Sequence, residues 1–559
     1  MKTIFTRLSI LFMVLLGSFA AFATQVFTIQ NSPYTITTPM SYYDSVYIEP
    51  GVVFLFGPSG KMSFHGSVLA DGSSDGGIMF RAVDTTGWSN NQVQNGGWSG
   101  LEFVGERAIL NYCTIRDIKK PYNQSATTYG FFVESKMVMD NCKIYHNNCN
   151  NQRFIFQNSA RNFEMNRCEF YENQSTYLIS THYSESTFTN CNFHHNLSDN
   201  YSFYPVYSVI DNDSRKTTIR GNTFYKNQSS GNSVVTCTGG NGLIEGNLIA
   251  NNSNTGPSQQ CGSNDGGAAL FLTVFSNHSD TLDYLVRNNV IANNYNRNGH
   301  GTVYIAHAKV AFNNNTLVNN LVAVDGSGLF VFSNGLNLSL TKVTAKNNIF
   351  SGNKTESTFQ QTIGIWGTND IRLERNTFKS SISQEVYYNY TTLPADTPNN
   401  MMTNSVDFVN PTTAAGIVYD ALQKDFSLQD QSVCVNRGVA TGTYTGAYDF
   451  MGNNRVVDIV DIGAYENQTA TFTGIGDMAL TKKVLQLYPN PCTNYVTINN
   501  VQQGKTLLVW DIMGHLVYKQ EHIKEASVNI NTSHFANGNY YVDLSSGNTI
   551  YRNVLTVAH

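Results

Sequence analysis

The sequence predicts an all-β protein in two parts, a long solenoid of short parallel-stacked strands followed by a small β-sandwich. Three observations predict it. A unit built on a fixed Cys or Asn with apolar positions on either side recurs ten times between Leu110 and Phe378. The spacing of those apolar positions forces the chain to turn inside each unit. Past residue 485 a different pattern takes over, in which alternating apolar residues are broken by turn residues.

The reference position of the unit holds Cys113, Cys142, Cys168, Cys191, Asn222, Asn247, Asn289, Asn315, Asn348 and Asn376. Three residues earlier stand apolar side chains from Leu110 to Leu373, and two residues later others from Ile115 to Phe378. Side chains on a strand alternate faces, so two positions five apart cannot both point inward along one straight strand. The corner falls just before the reference position, where Asn141, Asn190, Gly221, Gly246, Asn288 and Asn347 suit the left-handed backbone of a tight turn. One bent coil cannot enclose its own apolar face, but coils stacked about 4.8 Å apart bury a continuous core. Successive reference positions lie 23 to 42 residues apart, and the extra length should project as loops. Five residues after the reference runs a further Asn column, Asn147, Asn173, Asn196, Asn227, Asn252, Asn294, Asn320 and Asn353, interrupted by Ile118 and Ser381.

The ten reference residues are read as a structural ladder. Asn amides stacked in register each donate to the next, and Cys fills the same space as a small hydrophobe. A line of thiols is not a tetrahedron, which argues against metal. Of the nine cysteines, Cys237 and Cys261 lie outside the column about one coil apart and are the candidates for a disulfide.

These repeats resemble the right-handed parallel β-helix of pectate lyases and many bacterial surface proteins. The stretch from Gly266 to Phe271 and the Phe-x-x-Asn units, such as Phe193 to Asn196, resemble the repeats of polymorphic outer-membrane proteins. That second resemblance implies adhesion rather than catalysis.

In chain order, residues 1–23 read as a secretory signal peptide: Lys2 and Arg7, an apolar run from Leu8 to Leu16, then Ala21-Phe22-Ala23. Residues 24–400 form the β-helix, with Thr24 to Tyr43 capping its open end and Ile48 to Phe80 supplying the first coils. Periodicity fades from Tyr387 to Asn400, a loop-like stretch. Residues 401–468 contain Asp449, Gly452, Asn453, Arg455 and the run Asp461 to Glu466, which resembles the closing segment of many secreted bacterial β-helix proteins. Asp449, Asp458 and Asp461 are metal candidates there, against a structural cap in which Arg455 pairs with a carboxylate. After a linker, residues 469–484, residues 485–559 resemble the C-terminal sorting domain of the type IX secretion system, with the signature Tyr488, Pro489, Asn490 and Pro491. That resemblance implies the type IX machinery as partner, passage through the periplasm to the cell surface or medium, removal of the domain, and surface lipopolysaccharide as an anchor. No later apolar run is long enough to cross a bilayer.

Chemistry is sparse. Gly299-His300-Gly301 resembles the Gly-His-Gly of polygalacturonases, and Asn264-Asp265-Gly266 is a distant echo of that family's Asn-Thr-Asp with Asp265 as its carboxylate, but the rest of that pattern is missing. The triplet also matches Gly266-Gly267-Ala268 and Gly326-Ser327-Gly328, each of which introduces an apolar strand. Asp213 and Arg215 have the composition of a lyase site, carboxylates for calcium and a base, yet they sit in one turn rather than converging from several coils. His194 and His195 should face opposite ways on a strand. Trp88, Trp98 and Trp366 are candidate sugar-stacking rings, Trp98 equally a core residue. A net charge of −5 with 13% charged residues leaves no basic surface for nucleic acid. The expected function is non-enzymatic, adhesin-like binding of a glycan or cell surface without cofactor. The alternative is a polysaccharide lyase or glycoside hydrolase acting on acidic polysaccharide, the one reading that calls for calcium.

Overall fold

The computed structural model describes residues 25–559 except 91, 122–128, 199–209, 214, 230–232, 256–265, 274–281, 298, 334–340, 359–360, 368, 390–398, 440–446, 470–485, 500–505, 512–514 and 547–548. Two compact units divide the chain, residues 1–471 and 472–559.

The first unit is a parallel β-helix. Its first sheet runs from Gln25–Phe27 to Asn369–Glu374 and its second from Tyr34–Ile36 to Met401–Met402, while the third holds the longest strands, Asn148–Asn158 and Gln174–His182. Pairing between coils is parallel and in register, so Ile291 lies over Leu317 and Leu317 over Phe350. Both apolar columns point into the core and are buried from end to end. The residue before every reference position, from Tyr112 to Arg375, is left-handed with φ between 47° and 65°. A second left-handed corner, from Asp117 to Gly352, precedes each member of the later Asn column, with φ between 50° and 67°. Outside glycine that conformation costs about 1–2 kcal/mol, so something must hold it twice per coil.

What holds it is the buried side chain just after each corner. Asn289 donates its backbone N–H and its Nδ2 to Oδ1 of Asn315 at 3.1 and 2.9 Å, and Nδ2 also donates to the Ile244 carbonyl at 2.9 Å. Its own Oδ1 accepts from N and Nδ2 of Asn247. The later Asn column is a second ladder of the same design: Asn294 donates to Oδ1 of Asn320 and to the Ile249 carbonyl, and the pattern runs from Asn147 to Asn353. Even where Ile118 interrupts the column, its backbone N–H donates to Asn147 Oδ1. The thiols are rungs as well as space-fillers. Cys142 Sγ donates to the Leu110 carbonyl at 3.2 Å, the position an Asn Nδ2 takes elsewhere, and the Cys191 N–H passes the ladder to Asn222 Oδ1 at 2.9 Å. Cys237 is buried on the third sheet, and its candidate partner Cys261 lies outside the described residues.

Three expectations need correction. The stretch around residues 386–402 is not simply a loop: Val386–Asn389 and Met401–Met402 add another coil, and Asn400 is a further rung, accepting from Asn376 at 2.9 and 3.0 Å. Residues 25–42 are the first coil itself, with strands that pair onto Val46–Ile48, Val53–Phe56 and Lys61–Phe64. The segment after residue 402 does not close the end of the helix. It runs back along the outer face of the second sheet, where Val406, Phe408, Phe426, Leu428, Ile462 and Tyr465 pack on Ala250, Val290, Ala292, Val318 and Ile349. Corner asparagines grip it: Asn251 Nδ2 donates to the Ile417 and Tyr419 carbonyls, Asn293 Nδ2 to those of Ala414 and Gly416, and Asn347 Nδ2 to that of Val439.

The second unit is an antiparallel sandwich. Gln486–Tyr488, Tyr495–Asn499 and Ser527–Asn531 form one sheet, and Thr506–Asp511, Leu516–Gln520, Gly538–Ser546 and Thr549–Val557 form the other, around a core that includes Val496, Ile498, Val509, Val542 and Leu555.

The ladder can be tested directly. Asn315→Leu leaves the N–H and Nδ2 of Asn289 without their acceptor, at about 1–3 kcal/mol for each orphaned buried group. Urea unfolding should therefore show a much larger loss than for Glu172→Ala at an exposed corner. Equal losses would mean that the ladder contributes no stability.

Candidate functional site

The third sheet presents the most distinctive outer surface. In strands Tyr129–Val133, Asn148–Asn158, Gln174–His182 and Ile210–Asp213, the residues Phe131, Ile155, Ile179 and Ile210 point into the core. Alternation therefore sends Phe132, Phe156 and Ser180 outward in one row, and Asn158, His182 and Asp213 in the next. The register shifts between Cys149 and Arg153, and Phe154 and Ile155 both enter the core. Such a bulge re-aims the side chain beside it, here Arg153, which pairs across the sheet with Tyr129 and Tyr177.

Rings dominate this face. Tyr129 stacks on Phe156 at 4.6 Å and on Phe132 at 5.2 Å, and Phe156 meets the His182 ring edge-on at 5.3 Å. The Arg153 guanidinium lies 4.6 Å from the Phe156 centroid and 5.1 Å from that of Tyr177. Tyr129, Phe132, Arg153 and Tyr177 are all partly exposed. Toward the first coils, Glu102 accepts from Lys61 Nζ at 2.5 Å and from Ser63 Oγ at 2.6 Å. Lys120 is nearby, and its burial lowers its pKa.

Ser180 Oγ and His182 Nε2 are 3.0 Å apart, and Asp213 Oδ2 is 4.0 Å from His182 Nδ1. The order resembles a nucleophile relay, but Ser180 is fully buried, so the contact holds the imidazole rather than offering a hydroxyl.

The sequence-predicted residues do not assemble into a second site. His300 is buried, its Nδ1 against Asp325 and its ring stacked on Phe330 at 4.4 Å, while Trp366 Nε1 donates to Asp325 Oδ2 at 3.2 Å. Asp265 lies outside the described residues. Arg215 is exposed on a turn, whereas Asp213 faces His182. Trp98 is core, stacked on Phe56 at 3.9 Å, and Trp88 stacks on His146 at 3.9 Å. His194 and His195 do not diverge: His195 is a left-handed corner, and their Nδ1 atoms lie 3.0 Å apart.

In the segment on the second sheet, Asp449 accepts from the N–H groups of Asn453 and Glu466, and Asp461 from those of Asn436 and Asn467. Asp458 is a left-handed residue. The Arg455 side chain is fully buried, with Nη1 3.8 Å from Glu466 Oε2 and Nη2 donating to the Asp461 and Gly463 carbonyls. Among the described residues no group of three or more His, Cys, Asp or Glu side chains could hold a metal ion. In the C-terminal unit Tyr488 is exposed, and Asn490 ties the stretch to the last strand by donating to the Val554 carbonyl and accepting from the Thr556 N–H.

Residues 486–557 match the family described as the secretion system C-terminal sorting domain, and residues 76–204 match the right-handed beta helix region. The chain is thus a right-handed parallel β-helix protein that carries a type IX sorting domain, which directs it to the cell surface or extracellular space. No helix among the described residues is long and apolar enough to cross a membrane. No curated protein matches the chain. Among solved structures, pectate lyase Pel9A aligns over 75% of this chain and 88% of its own, at 14% identity and a TM-score of 0.32. The tailspike protein gp49 of Acinetobacter baumannii bacteriophage Fri1, a capsular polysaccharide depolymerase, aligns over 94% and 73%, at 9% identity and a TM-score of 0.24.

The buried carboxyls around Arg455 generate a pH prediction. Burial, reinforced by Asp461 and only partly opposed by Arg455, pushes Glu466 up to about 8, and burial pushes Asp461 up to about 6. Both groups hold a proton more tightly folded than unfolded, so they contribute stability at acid pH that is lost as pH rises through those values. The melting temperature should fall from about pH 4, where the unfolded carboxyls ionise, to about pH 8, and Glu466→Gln should flatten that fall. An unchanged slope in the variant would refute the assignment.

Proposed function

We propose that the exported β-helix binds a glycan through the aromatic outer face of its third sheet and does not cleave it. The observation that carries this reading is the grouping of Tyr129, Phe132, Phe156 and Tyr177 on strands of a rigid sheet, with three of the four rings partly exposed. Sugar faces stack on such rings, and a sheet fixes ring spacing without an ordering cost on binding. The catalytic candidates of the sequence are dispersed, with His300 in the core, Asp213 on the third sheet facing His182 and Arg215 exposed, and this favours binding over cleavage. The type IX machinery delivers the protein, the sorting domain is removed in the region of residues 469–484, and surface lipopolysaccharide anchors the β-helix.

Three experiments test this. On a glycan array the full chain should retain at least one ligand class, and Tyr129→Ala or Phe132→Ala should weaken it by about tenfold, the worth of a good aromatic contact. A parallel screen should detect no depolymerisation; release of shortened or unsaturated products would overturn the non-enzymatic reading. Deleting residues 485–559 should leave a folded β-helix stranded in the periplasm, whereas the intact protein should reach the surface without its sorting domain. Truncated protein at the surface, or Val554 to His559 in the exported form, would contradict this route.

A further inference from the structure

We propose that Arg153 is an anion-binding residue and that the third-sheet face selects glycans bearing a carboxylate or sulfate group. The inference rests on the glycan-binding reading above and specifies its ligand. Among the described residues Arg153 is a cation without a counter-charge: its guanidinium lies over Phe156 and Tyr177, its Nε is buried with no hydrogen-bond partner, and no ion pair reaches it. Glu102 is taken by Lys61 and Ser63, Asp213 lies 4.0 Å from His182, and Glu134 forms no ion pair among the described residues.

A guanidinium whose plane is fixed by rings presents its remaining N–H donors in one orientation, which suits two-point contact with a planar carboxylate or with two oxygens of a sulfate. An apolar side chain could fill the space between Phe156 and Tyr177 without desolvating a charge. The bulge at Cys149 to Arg153 brings this cation to the sheet surface beside the exposed rings, so one sugar face and its acidic substituent can be met together.

The test uses the full chain on an array of neutral, uronate-bearing and sulfated oligosaccharides, with Arg153→Gln and Arg153→Lys compared by melting temperature to confirm folding. The expected result is acidic ligands bound about tenfold or more tightly than their neutral counterparts, a preference abolished by Arg153→Gln and partly kept by Arg153→Lys. Whether the uronate or the sulfated arm responds identifies the anion. Neutral and acidic ligands bound alike, or an acidic preference that survives Arg153→Gln, would overturn the role of Arg153 while leaving glycan binding in place. Binding to no oligosaccharide at all would remove both readings together.

Discussion

From Tyr112 to Gly352 each coil of this β-helix turns twice through a left-handed residue, and each of these corners is followed by a position whose side chain or backbone joins an inter-coil ladder. The two features depend on each other. Left-handed backbone swings the next side chain inward, where a carboxamide would be costly unless all of its hydrogen-bonding capacity were used. The coil above and the coil below supply those partners, because parallel stacking repeats the same backbone in register. The corner therefore needs the ladder, and the ladder needs neighbouring coils. Tyr112, Arg167, Glu172 and Lys226 show that the corner residue itself can be almost any type once the following position is satisfied.

The thiol end of the first ladder follows the same logic with weaker donors. An exported protein with stacked cysteines would be expected to oxidise or react, but these side chains are sealed in the core. Burial raises the Cys142 and Cys191 thiols well above their ordinary values, which keeps both protonated and unreactive. The change from Cys to Asn at Asn222 is an exchange of donors at one geometric position, since Cys142 and Asn222 reach equivalent carbonyls, Leu110 and Phe188.

Much of this was legible because it repeats. The inward columns and the reference Asn residues stand at fixed offsets, and the sorting domain has its own signature at Tyr488 to Pro491. What escaped the sequence reading depends on where the chain departs from period. Asn400 is separated from Asn376 by a coil whose apolar positions are few, so its rung is visible only through its bonds. The second Asn column was visible, but its being a ladder depended on a second corner that Asp117, His146 and Lys226 do not advertise. The return of residues 403–468 along the second sheet did leave a trace: outward positions change from Lys143, Tyr145, Glu169 and Tyr171 in the open coils to Leu248, Ala250, Val290 and Ala292 in the covered ones. Arg153 left none, because a bulge breaks the alternation that would have assigned its face.

That contrast between covered and open faces bears on where function can reside. On the second sheet the outward columns of the later coils are spent on packing against the returning segment, and the open ones carry charges already paired, such as Arg116 with Asp117 and Lys143 with Glu169. On the third sheet the rings of Tyr129 and Phe132 pair with each other and still retain exposed surface, and Arg153 has rings but, among the described residues, no carboxylate. A chain with only 13% charged residues has few charges to leave without partners. One guanidinium held over two rings with its Nε buried and unbonded, on a rigid strand beside partly exposed aromatics, is therefore harder to explain by packing than by a ligand that completes it.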